Sequence, residues 1–215
     1  MYKKKPFFIV FEGVEGCGKS FQSKKLLNNL KKKRIPALLT REPGGTKSAE
    51  LIRNLILKDY FNHDSKEKFD KYTDTLLYLA ARNEHIKNKI DPALKKKSVV
   101  ICDRFTDSTL AYQVYGKNVN INFINNIHKF ILGKIKPNLT FVLKVSTETS
   151  KKRLKKRKTK NRYDNFTQIF YSKAQNSFLK IAKNKKNYFV LNSSKNDSNL
   201  EKKIFKIVCY YLKIK

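Results

Sequence analysis

The sequence has few of the residues that mark several classes of protein. It contains no tryptophan, one methionine, five prolines and seven glycines in 215 residues. So little glycine and proline excludes collagen-like and low-complexity chains. The three cysteines, Cys17, Cys102 and Cys209, are odd in number and far apart, which favours reduced thiols over a disulfide framework. The three histidines have no metal-ligand spacing with them.

Long apolar runs are also absent. No run reaches the roughly 18 residues that a membrane span needs, so we expect no contact with a membrane. Basic residues at the N-terminus precede a short apolar run at residues 7–11. That run leads to Glu12 and a glycine loop, whereas a secretory signal peptide has a small-residue cleavage site at this point. We therefore expect a strand here and a cytoplasmic protein.

Acidic residues are scarce, which leaves the chain strongly basic. Lysine and arginine total 49 against 17 acids, for a formal charge of +32. Such a charge suits nucleic-acid phosphates. However, the 41 lysines are spread along the whole chain with 20 asparagines, a composition that AT-rich coding sequence tends to produce. We favour compositional drift with non-specific attraction to polyanions, and expect no specific nucleic-acid partner.

Hydrophobic residues are plentiful, at 40% with 15 Phe and 11 Tyr, so the chain can bury a core. Short apolar runs alternate with segments whose leucines and isoleucines recur at helical spacing. This alternation predicts a single α/β domain over residues 1–215, a five-stranded parallel sheet with helices on both faces. The predicted strands lie at 7–11, 37–40, 99–102, 139–145 and 188–191, and one of the predicted helices runs over residues 74–90.

The strongest motif follows the first strand and matches G-x-x-x-x-G-K-[ST]. Its glycines let backbone N–H groups curl around a phosphate at the start of a helix. Lys19 is expected to reach the β- and γ-phosphates of ATP, and the Ser20 hydroxyl to bind Mg²⁺ as cofactor. The motif predicts a P-loop NTPase type of fold with an ATP site at Gly13, Val14, Glu15, Gly16, Cys17, Gly18, Lys19 and Ser20.

Two further motifs follow the second and third predicted strands. Ligands of open α/β sheets bind at the carboxyl ends of strands. Arg41 begins a Pro-Gly-Gly turn, and an arginine stands out in a chain with about five lysines for each arginine. Asp103 can hold the water shell of Mg²⁺, and Arg104 beside it can clamp an acceptor phosphate. An ordinary turn and a structural ion pair are the alternatives.

Together with Tyr-Leu-Ala-Ala-Arg at 78–82 and Ser-Thr-x-Ala-Tyr-Gln at 108–113, these motifs resemble the thymidylate kinase family over nearly the whole chain. The resemblance implies a homodimer that phosphorylates dTMP to dTDP with ATP and Mg²⁺, in dTTP synthesis. It implies that Glu15 binds the sugar 3′-hydroxyl, that Tyr78 stacks on thymine and that Tyr112 excludes ribose. The implied substrate-binding residues are Glu15, Arg41, Tyr78, Arg82, Arg104, Ser108, Thr109, Tyr112 and Gln113.

The resemblance also implies a lid over ATP at about residues 151–165. The P-loop interior carries no cation before Lys19, so we expect an arginine of this basic segment to bridge the transferring phosphate. Arg153 or Arg157 is expected to do so, with Arg162 supporting. The expected catalytic residues are therefore Lys19, Arg104, Arg153, Arg157 and Arg162.

Two other functions remain open at this point. Another nucleoside or deoxynucleoside monophosphate kinase would keep the P-loop and lid but change the base pocket. A nucleic-acid-binding P-loop ATPase would use the charge of +32, but it would have no use for the Arg104 clamp or for Tyr112. Dependence of turnover on dTMP, rather than on DNA or RNA, separates these functions.

Overall fold

Five parallel strands form the centre of the molecule. The computed structural model describes residues 5–58, 68–156, 167–195 and 197–214. The strands are β1 (Phe7–Glu12), β2 (Ala37–Arg41), β3 (Val99–Asp103), β4 (Leu139–Lys144) and β5 (Tyr188–Asn192). They form one sheet in the order β2-β3-β1-β4-β5, and every neighbouring pair is parallel. The predicted five-stranded parallel sheet is confirmed.

Helices connect successive strands, as parallel pairing requires. The longer ones are α1 (Lys19–Lys32), α2 (Lys47–Leu57), α3 (Lys71–His85), α7 (Ile121–Leu132), α8 (Thr147–Lys155), α9 (Gln168–Ala182) and α10 (Ser198–Leu212). The helix predicted to run to residue 90 divides instead, because α3 continues through a π-helical turn at Ile86–Ile90 into the short α4 (Asp91–Lys95). After β3 come two short helices, α5 (Thr106–Thr109) and α6 (Tyr115–Lys117), joined by a second π-helical turn at Leu110–Val114.

The central strand β1 is buried along its whole length, and its alternate side chains enter two different cores. Phe7, Ile9 and Phe11 belong to the larger core, which packs against α1, α9 and α10. Phe8 and Val10 belong to a second core with residues of the Ile86–Ile90 turn and β3. A strand covered on both faces explains why residues 7–11 are continuously apolar.

Parallel pairing places the carboxyl ends of all the strands at one edge of the sheet. The chain leaves β1 at Gly13, where φ is +137° and an added Cβ would lie 2.6 Å from the Leu143 carbonyl oxygen. Only glycine fits that close approach. The loop then enters α1 at Gly18, which is left-handed at φ 91°. The ends of β2 and β3 lie beside this loop, so three motifs that are distant in sequence converge.

The aromatic core offers a test of this architecture. Phe141 of β4 is fully buried, and its ring centroid lies 5.2 Å from that of Phe11. We expect Phe141→Ala to lower the free energy of unfolding by about 3–5 kcal/mol in a urea titration, since the cavity cannot close fully. The matched control is Ile169→Ala at a side chain that is 80% exposed, which should change stability little. Equal losses in the two variants would contradict the assignment of the core.

Candidate active site

The carboxyl ends of β1, β2 and β3 open into a cleft of about 440 Å³, a size typical of ligand sites. The P-loop forms one wall, and the segments after β2 and β3 form the other. Most of the residues predicted from the sequence line this cleft: Glu15, Gly16, Gly18, Lys19, Ser20, Arg41, Tyr78, Arg82, Asp103, Arg104, Ser108, Thr109, Tyr112, Gln113 and Arg153. The fold therefore brings together residues that lie up to 138 positions apart in the chain, from Glu15 to Arg153.

The P-loop is a cup of backbone with a buried lysine. The Lys19 ammonium donates hydrogen bonds to the carbonyl oxygens of Gly13, at 3.0 Å, and Val14, at 2.9 Å. These contacts hold the side chain against its own loop, beside the mouth of the cleft. The Cys17 thiol lies beneath the loop, fully buried, and burial raises its pKa. Cys17 therefore acts as a packing residue of the P-loop.

Two hard oxygen ligands meet where α1 begins and β3 ends. The Ser20 hydroxyl donates a hydrogen bond to the Asp103 carboxylate. In the part of the chain that the structure describes, no group of three or more His, Cys, Asp or Glu side chains could hold a metal ion. Mg²⁺ commonly binds through one or two protein oxygens and completes its shell with phosphate and water. The Ser20–Asp103 pair fits that ion together with a nucleotide.

Arg104 links the P-loop to the segment after β3. Its backbone is left-handed at φ 76°, and its guanidinium donates to the Gly13 carbonyl at 2.9 Å and to the Ser108 hydroxyl at 3.0 Å. It also pairs with the Glu15 carboxylate at 2.6 Å. Burial alone would raise the pKa of Glu15, but Arg104 and Lys19 lower it below its ordinary value. Glu15 is therefore ionised and balances the two cations.

Tyr112 has both a polar and an apolar role. Its hydroxyl donates to the second Glu15 oxygen at 2.5 Å, and the Arg104 guanidinium lies 5.2 Å from its ring centroid. The ring is only 4% exposed and packs against Phe170 and Phe178. Tyr112 thus joins the wall of the cleft to the main core, and truncating it would disturb both.

Glu12 was not among the predicted site residues. It is fully buried, and its carboxyl accepts hydrogen bonds from the Phe105 backbone N–H at 2.8 Å and the Ser108 hydroxyl at 2.6 Å. Burial and the neighbouring Asp107 raise the pKa of Glu12 to about 8. The sequence signal was a lone acid that ends an apolar strand immediately before the P-loop. Glu12 fixes the start of α5 against β1.

Arg82 lines the cleft from the centre of a buried polar cluster. It is 3% exposed, and its Nε donates to Glu42 at 2.7 Å. One terminal nitrogen, Nη1, is bonded to the Thr109 hydroxyl at 2.8 Å and to His128 Nε2 at 2.9 Å. The other, Nη2, donates to the Phe105 carbonyl at 2.9 Å. Four of its five N–H groups have partners among the described residues, so one N–H on Nη2 remains for a ligand.

Glu42 and His85 complete this cluster from the Pro-Gly-Gly turn. The second Glu42 oxygen lies 3.1 Å from His85 Nδ1, and His85 Nε2 lies 2.6 Å from the Thr40 hydroxyl. Burial alone would raise the pKa of Glu42, but Arg82 and His85 lower it. A Cβ at Gly45 would approach His85 Nε2 to 2.6 Å, and φ there is +95°, so the turn requires glycine. The Pro-Gly-Gly turn thus holds Glu42 in the position from which it binds Arg82 of α3.

The arginines of β2 and α2 complete the far wall. Arg41 is half exposed, and its guanidinium meets both oxygens of Glu50 at 3.2 Å. Arg53, which sequence reasoning left without a role, also lines the cleft and donates to the Pro43 carbonyl at 2.6 Å. The signal that could have found it is the one used for Arg41, an arginine retained in a lysine-rich chain.

Tyr78 and Gln113 provide the remaining wall. Tyr78 lines the cleft and also packs against the main core, so it has both a ligand-facing and a packing side. Gln113 is 2% exposed, and its amide nitrogen has no hydrogen-bond partner among the described residues. A buried amide that lines a cleft and lacks a partner is a donor available to a ligand.

Helix α8 rests on the P-loop. The Ser150 hydroxyl donates to the Glu15 carbonyl at 2.7 Å. Arg153 donates to the Gly16 carbonyl at 3.1 Å, and its other nitrogen reaches the carbonyls of Ser193 at 3.0 Å and Ser194 at 2.5 Å. Of the predicted lid, residues 151–156 are described. Arg157 and Arg162 lie outside the described residues.

A phosphate-binding loop that faces an arginine-lined wall across one cleft defines a P-loop phosphotransferase acting on a nucleotide. The chain belongs to the thymidylate kinase family, because the sequence profile described as "Thymidylate kinase" matches residues 11–204. It is therefore an ATP-dependent nucleoside monophosphate kinase that phosphorylates dTMP to dTDP. The prediction from the sequence motifs is confirmed.

Known relatives agree over most of the chain. The thymidylate kinase of Wolbachia sp. subsp. Brugia malayi (strain TRS) is 42% identical over 180 residues, which cover 82% of each chain. The thymidylate kinase of Mycoplasma capricolum subsp. capricolum is 36% identical over 210 residues, 96% of each chain. The crystal structure of thymidylate kinase from Ehrlichia chaffeensis superposes with a TM-score of 0.73 at 28% identity, covering 95% of this chain and 99% of that one.

The Arg82 cluster predicts how stability responds to pH. Burial and Arg82 lower the pKa of His128 from 6.5 to about 3, so His128 is neutral in the folded protein and protonates near pH 6.5 when unfolded. At His128 the unfolded state therefore binds more protons below pH 6.5, and the contribution of this residue to stability falls as pH falls. Between pH 7 and pH 5 this group should remove about 2 kcal/mol of stability.

The measurement compares urea unfolding of the wild type and His128→Gln at both pH values. Glutamine keeps an acceptor for Arg82 but does not titrate, so the wild type should lose about 2 kcal/mol more than the variant between pH 7 and pH 5. Parallel losses in the two proteins would show that His128 is protonated in the fold, contrary to its contact with Arg82.

Proposed function

We propose that ATP binds with Mg²⁺ along the P-loop. The backbone N–H groups between Gly13 and Lys19 would surround the β-phosphate, and Lys19 would turn from its own loop carbonyls to the phosphates. The Ser20 hydroxyl and Asp103 would hold Mg²⁺ directly or through water. The contact between those two side chains supports this placement. When bound, the ion would neutralise charge on the β- and γ-phosphates.

The dTMP site would occupy the other half of the cleft. Arg104 and Tyr112 hold the Glu15 carboxylate in place, and this carboxylate would accept a hydrogen bond from the sugar 3′-hydroxyl. Tyr78 would stack on thymine, while the remaining Arg82 N–H and the Gln113 amide would donate to acceptors on the base edge. The acidic and aromatic side chains of this wall suit a nucleoside, and the arginines suit its phosphate. Ser108 and Thr109 hold Arg104 and Arg82 in place from α5.

The acceptor phosphate would lie among the guanidiniums of Arg41, Arg53 and Arg104. Transfer of the γ-phosphoryl group would then depend on positioning and on charge neutralisation by Lys19, Arg104 and Mg²⁺. Arg153 would contribute through the P-loop carbonyls that it now holds, or would turn to the transferring phosphate as the lid closes. Arg157 and Arg162 remain predicted lid cations.

The observation that carries this proposal is Arg104. A single guanidinium contacts the Gly13 carbonyl and the Glu15 carboxylate of the P-loop and the Ser108 hydroxyl of α5, at 2.9, 2.6 and 3.0 Å. It would therefore stand where the two substrates must meet. A P-loop ATPase that hydrolyses ATP on nucleic acid has no use for an acceptor clamp there.

Lys19→Ala tests the proposed transfer site. We expect a loss of about 10²–10³ in kcat in an ADP-release assay with dTMP as acceptor, because the charge on the transferring phosphate loses a partner. Lys24→Ala, at an exposed lysine on the same helix, is the control and should keep full activity. Near-wild-type turnover of Lys19→Ala at saturating ATP, or ADP release driven by DNA without dTMP, would refute the assignment.

We also propose that the protein is a homodimer and works in the cytoplasm. Leu51 and Leu55, one helical turn apart on α2, are 70% and 44% exposed, and Leu76 of the adjoining α3 is 46% exposed. Exposed leucines on two packed helices suit an interface with a second copy. The apolar run near the N-terminus forms the buried central strand β1. No described helix is long and apolar enough to cross a membrane.

Charge placed on α2 tests the dimer. The double variant Leu51→Glu/Leu55→Glu should sediment as a monomer where the wild type sediments as a dimer, because the facing copies would bury like charges. Ile169→Glu, at an apolar residue of α9 that is 80% exposed, should leave the dimer intact. A dimer that survives the α2 variant but is lost with Ile169→Glu would move the interface to α9.

A further inference from the structure

The edge of the sheet opposite the cleft is densely basic. The segments that lead into β2, β3, β4 and β5 lie at this edge, because all the strands are parallel. These segments, residues 31–36, 95–98, 133–138 and 183–187, contain twelve lysines and arginines and no Asp or Glu among 21 residues. All twelve cations are exposed. We call this surface the lysine edge.

Compositional drift does not explain this concentration. With 49 cations in 215 residues, 21 residues of average composition would carry about five cations, and the observed number is more than twice that. The opposite edge provides an internal comparison. Its connecting loops at 13–18, 42–46, 104–105, 145–146 and 193–195 hold two cations and two acids among 18 residues. Drift acts on both edges alike, so the difference between them needs another cause.

Helix dipoles explain only a small part of it. Helices α1, α4, α7 and α9 end at this edge, and a helix C-terminus carries roughly half a negative charge. Four such ends amount to about two negative charges. Asp91 neutralises Lys95 through an ion pair at 2.7 Å. A large positive excess therefore remains at the lysine edge.

The segments are also held rigidly in place. The Val99 N–H donates to the Pro36 carbonyl at 2.9 Å, which ties the segment before β2 to β3. Asn138 exchanges hydrogen bonds with Phe8, its side chain accepting at 2.7 Å and its N–H donating at 2.8 Å. The Asn187 amide reaches the Pro137 carbonyl at 3.3 Å. The segments at 31–36, 133–138 and 183–187 are thus each fastened to a neighbouring strand or segment.

The length of the lysine edge suits a regular polyanion. Five strands spaced by about 4.8 Å place the outer basic segments roughly 19 Å apart. Double-stranded DNA carries about one charge per 1.7 Å of its axis with both strands counted, so the same length of duplex holds about eleven phosphates. The backbone that carries these cations is fixed before binding, so only their side chains lose conformational freedom when they meet such a rod.

The side chains between the lysines exclude two other partners. Ile35 is 4% exposed and Ile135 packs against the second core, so the lysine edge offers no apolar group to insert into a membrane. It carries no aromatic residue in these segments on which single-stranded bases could stack. We propose that the lysine edge binds the phosphate backbone of double-stranded DNA, without sequence preference, on the side of the molecule away from the catalytic cleft.

Two variants of equal net charge test this proposal. The edge variant is Lys32→Gln, Lys96→Gln, Lys136→Gln and Lys186→Gln, one change per segment. The control variant is Lys24→Gln, Lys47→Gln, Lys173→Gln and Lys202→Gln, at exposed lysines elsewhere. Fluorescence anisotropy of a labelled 30-base-pair duplex gives Kd from 50 to 200 mM KCl. Single-stranded dT30 and phosphatidylserine vesicles are the alternative probes.

The affinity of the wild type for the duplex should fall steeply as the salt concentration rises. A plot of log affinity against log salt concentration should have a slope of about −4 or steeper. The edge variant should lose about tenfold or more in affinity at 100 mM KCl and flatten the slope by about 3, and the control variant should do neither. Equal losses in the two variants, tighter binding of dT30, or an equal dependence of vesicle binding on the edge lysines would overturn the proposal.

Kinase turnover with dTMP separates this proposal from the proposed function. None of the eight lysines lies in the catalytic cleft. Both variants should therefore keep wild-type turnover, whatever their affinity for DNA. Loss of DNA binding with full kinase activity assigns the lysine edge as a separate surface.

Discussion

Glu12 carries its carboxyl group into the protein interior at the end of β1, where it accepts hydrogen bonds from the Phe105 N–H and the Ser108 hydroxyl. The rest of the cleft depends on this contact. It fixes the turn after β3, and that turn carries Arg104 in a left-handed conformation towards the P-loop. A buried carboxyl is costly unless it is hydrogen-bonded or neutral, and Glu12 meets both conditions through its partners and a pKa raised to about 8.

A second buried cluster orders the far side of the cleft, as Glu12 orders the turn after β3. Glu42 enters from the turn after β2, Arg82 from α3 and His128 from α7. The cluster places one guanidinium among carboxylate, imidazole and hydroxyl partners and leaves it little freedom. An arginine held so closely loses little entropy when it meets a substrate, which is how preorganisation favours binding. The two clusters meet at Phe105, whose N–H serves one and whose carbonyl serves the other.

Charge is divided between the two edges of the sheet. At the catalytic edge the arginines are separate from one another, and each has a carboxylate or carbonyl partner. At the lysine edge the cations are consecutive or nearly so, and almost all of them are lysines. A guanidinium binds oxygen pairs with fixed geometry, and an ammonium acts as a point charge. Arginine therefore suits a site that must orient two nucleotides, and lysine suits a surface that meets phosphates in any register. The net charge of +32 comes largely from residues outside the cleft.

Much of the fold and part of the site could be predicted from local pattern. The apolar run at 7–11, the glycine spacing of the P-loop and the alternation of strands with helices are each set by neighbours in the chain, so they appear in the sequence. Arg104 could be placed at the cleft because it follows a strand end, and Tyr112 because its motif resembles that of a known family. The division of the third helix at Ile86–Ile90 could not, because the helical pattern of residues 74–90 continues unbroken through it.

The sequence by itself determined the class of fold, the phosphate-binding loop and the family of the enzyme, because these depend on the order and spacing of residues along the chain. Only the tertiary structure decided which polar groups face each other: Glu12 with Ser108, Arg82 with His128, and Arg53 with the Pro43 carbonyl. It also gathered twelve scattered cations at one edge. The physical reason is that parallel pairing joins the equivalent ends of strands that are distant in sequence, and no local pattern records which side chains then meet.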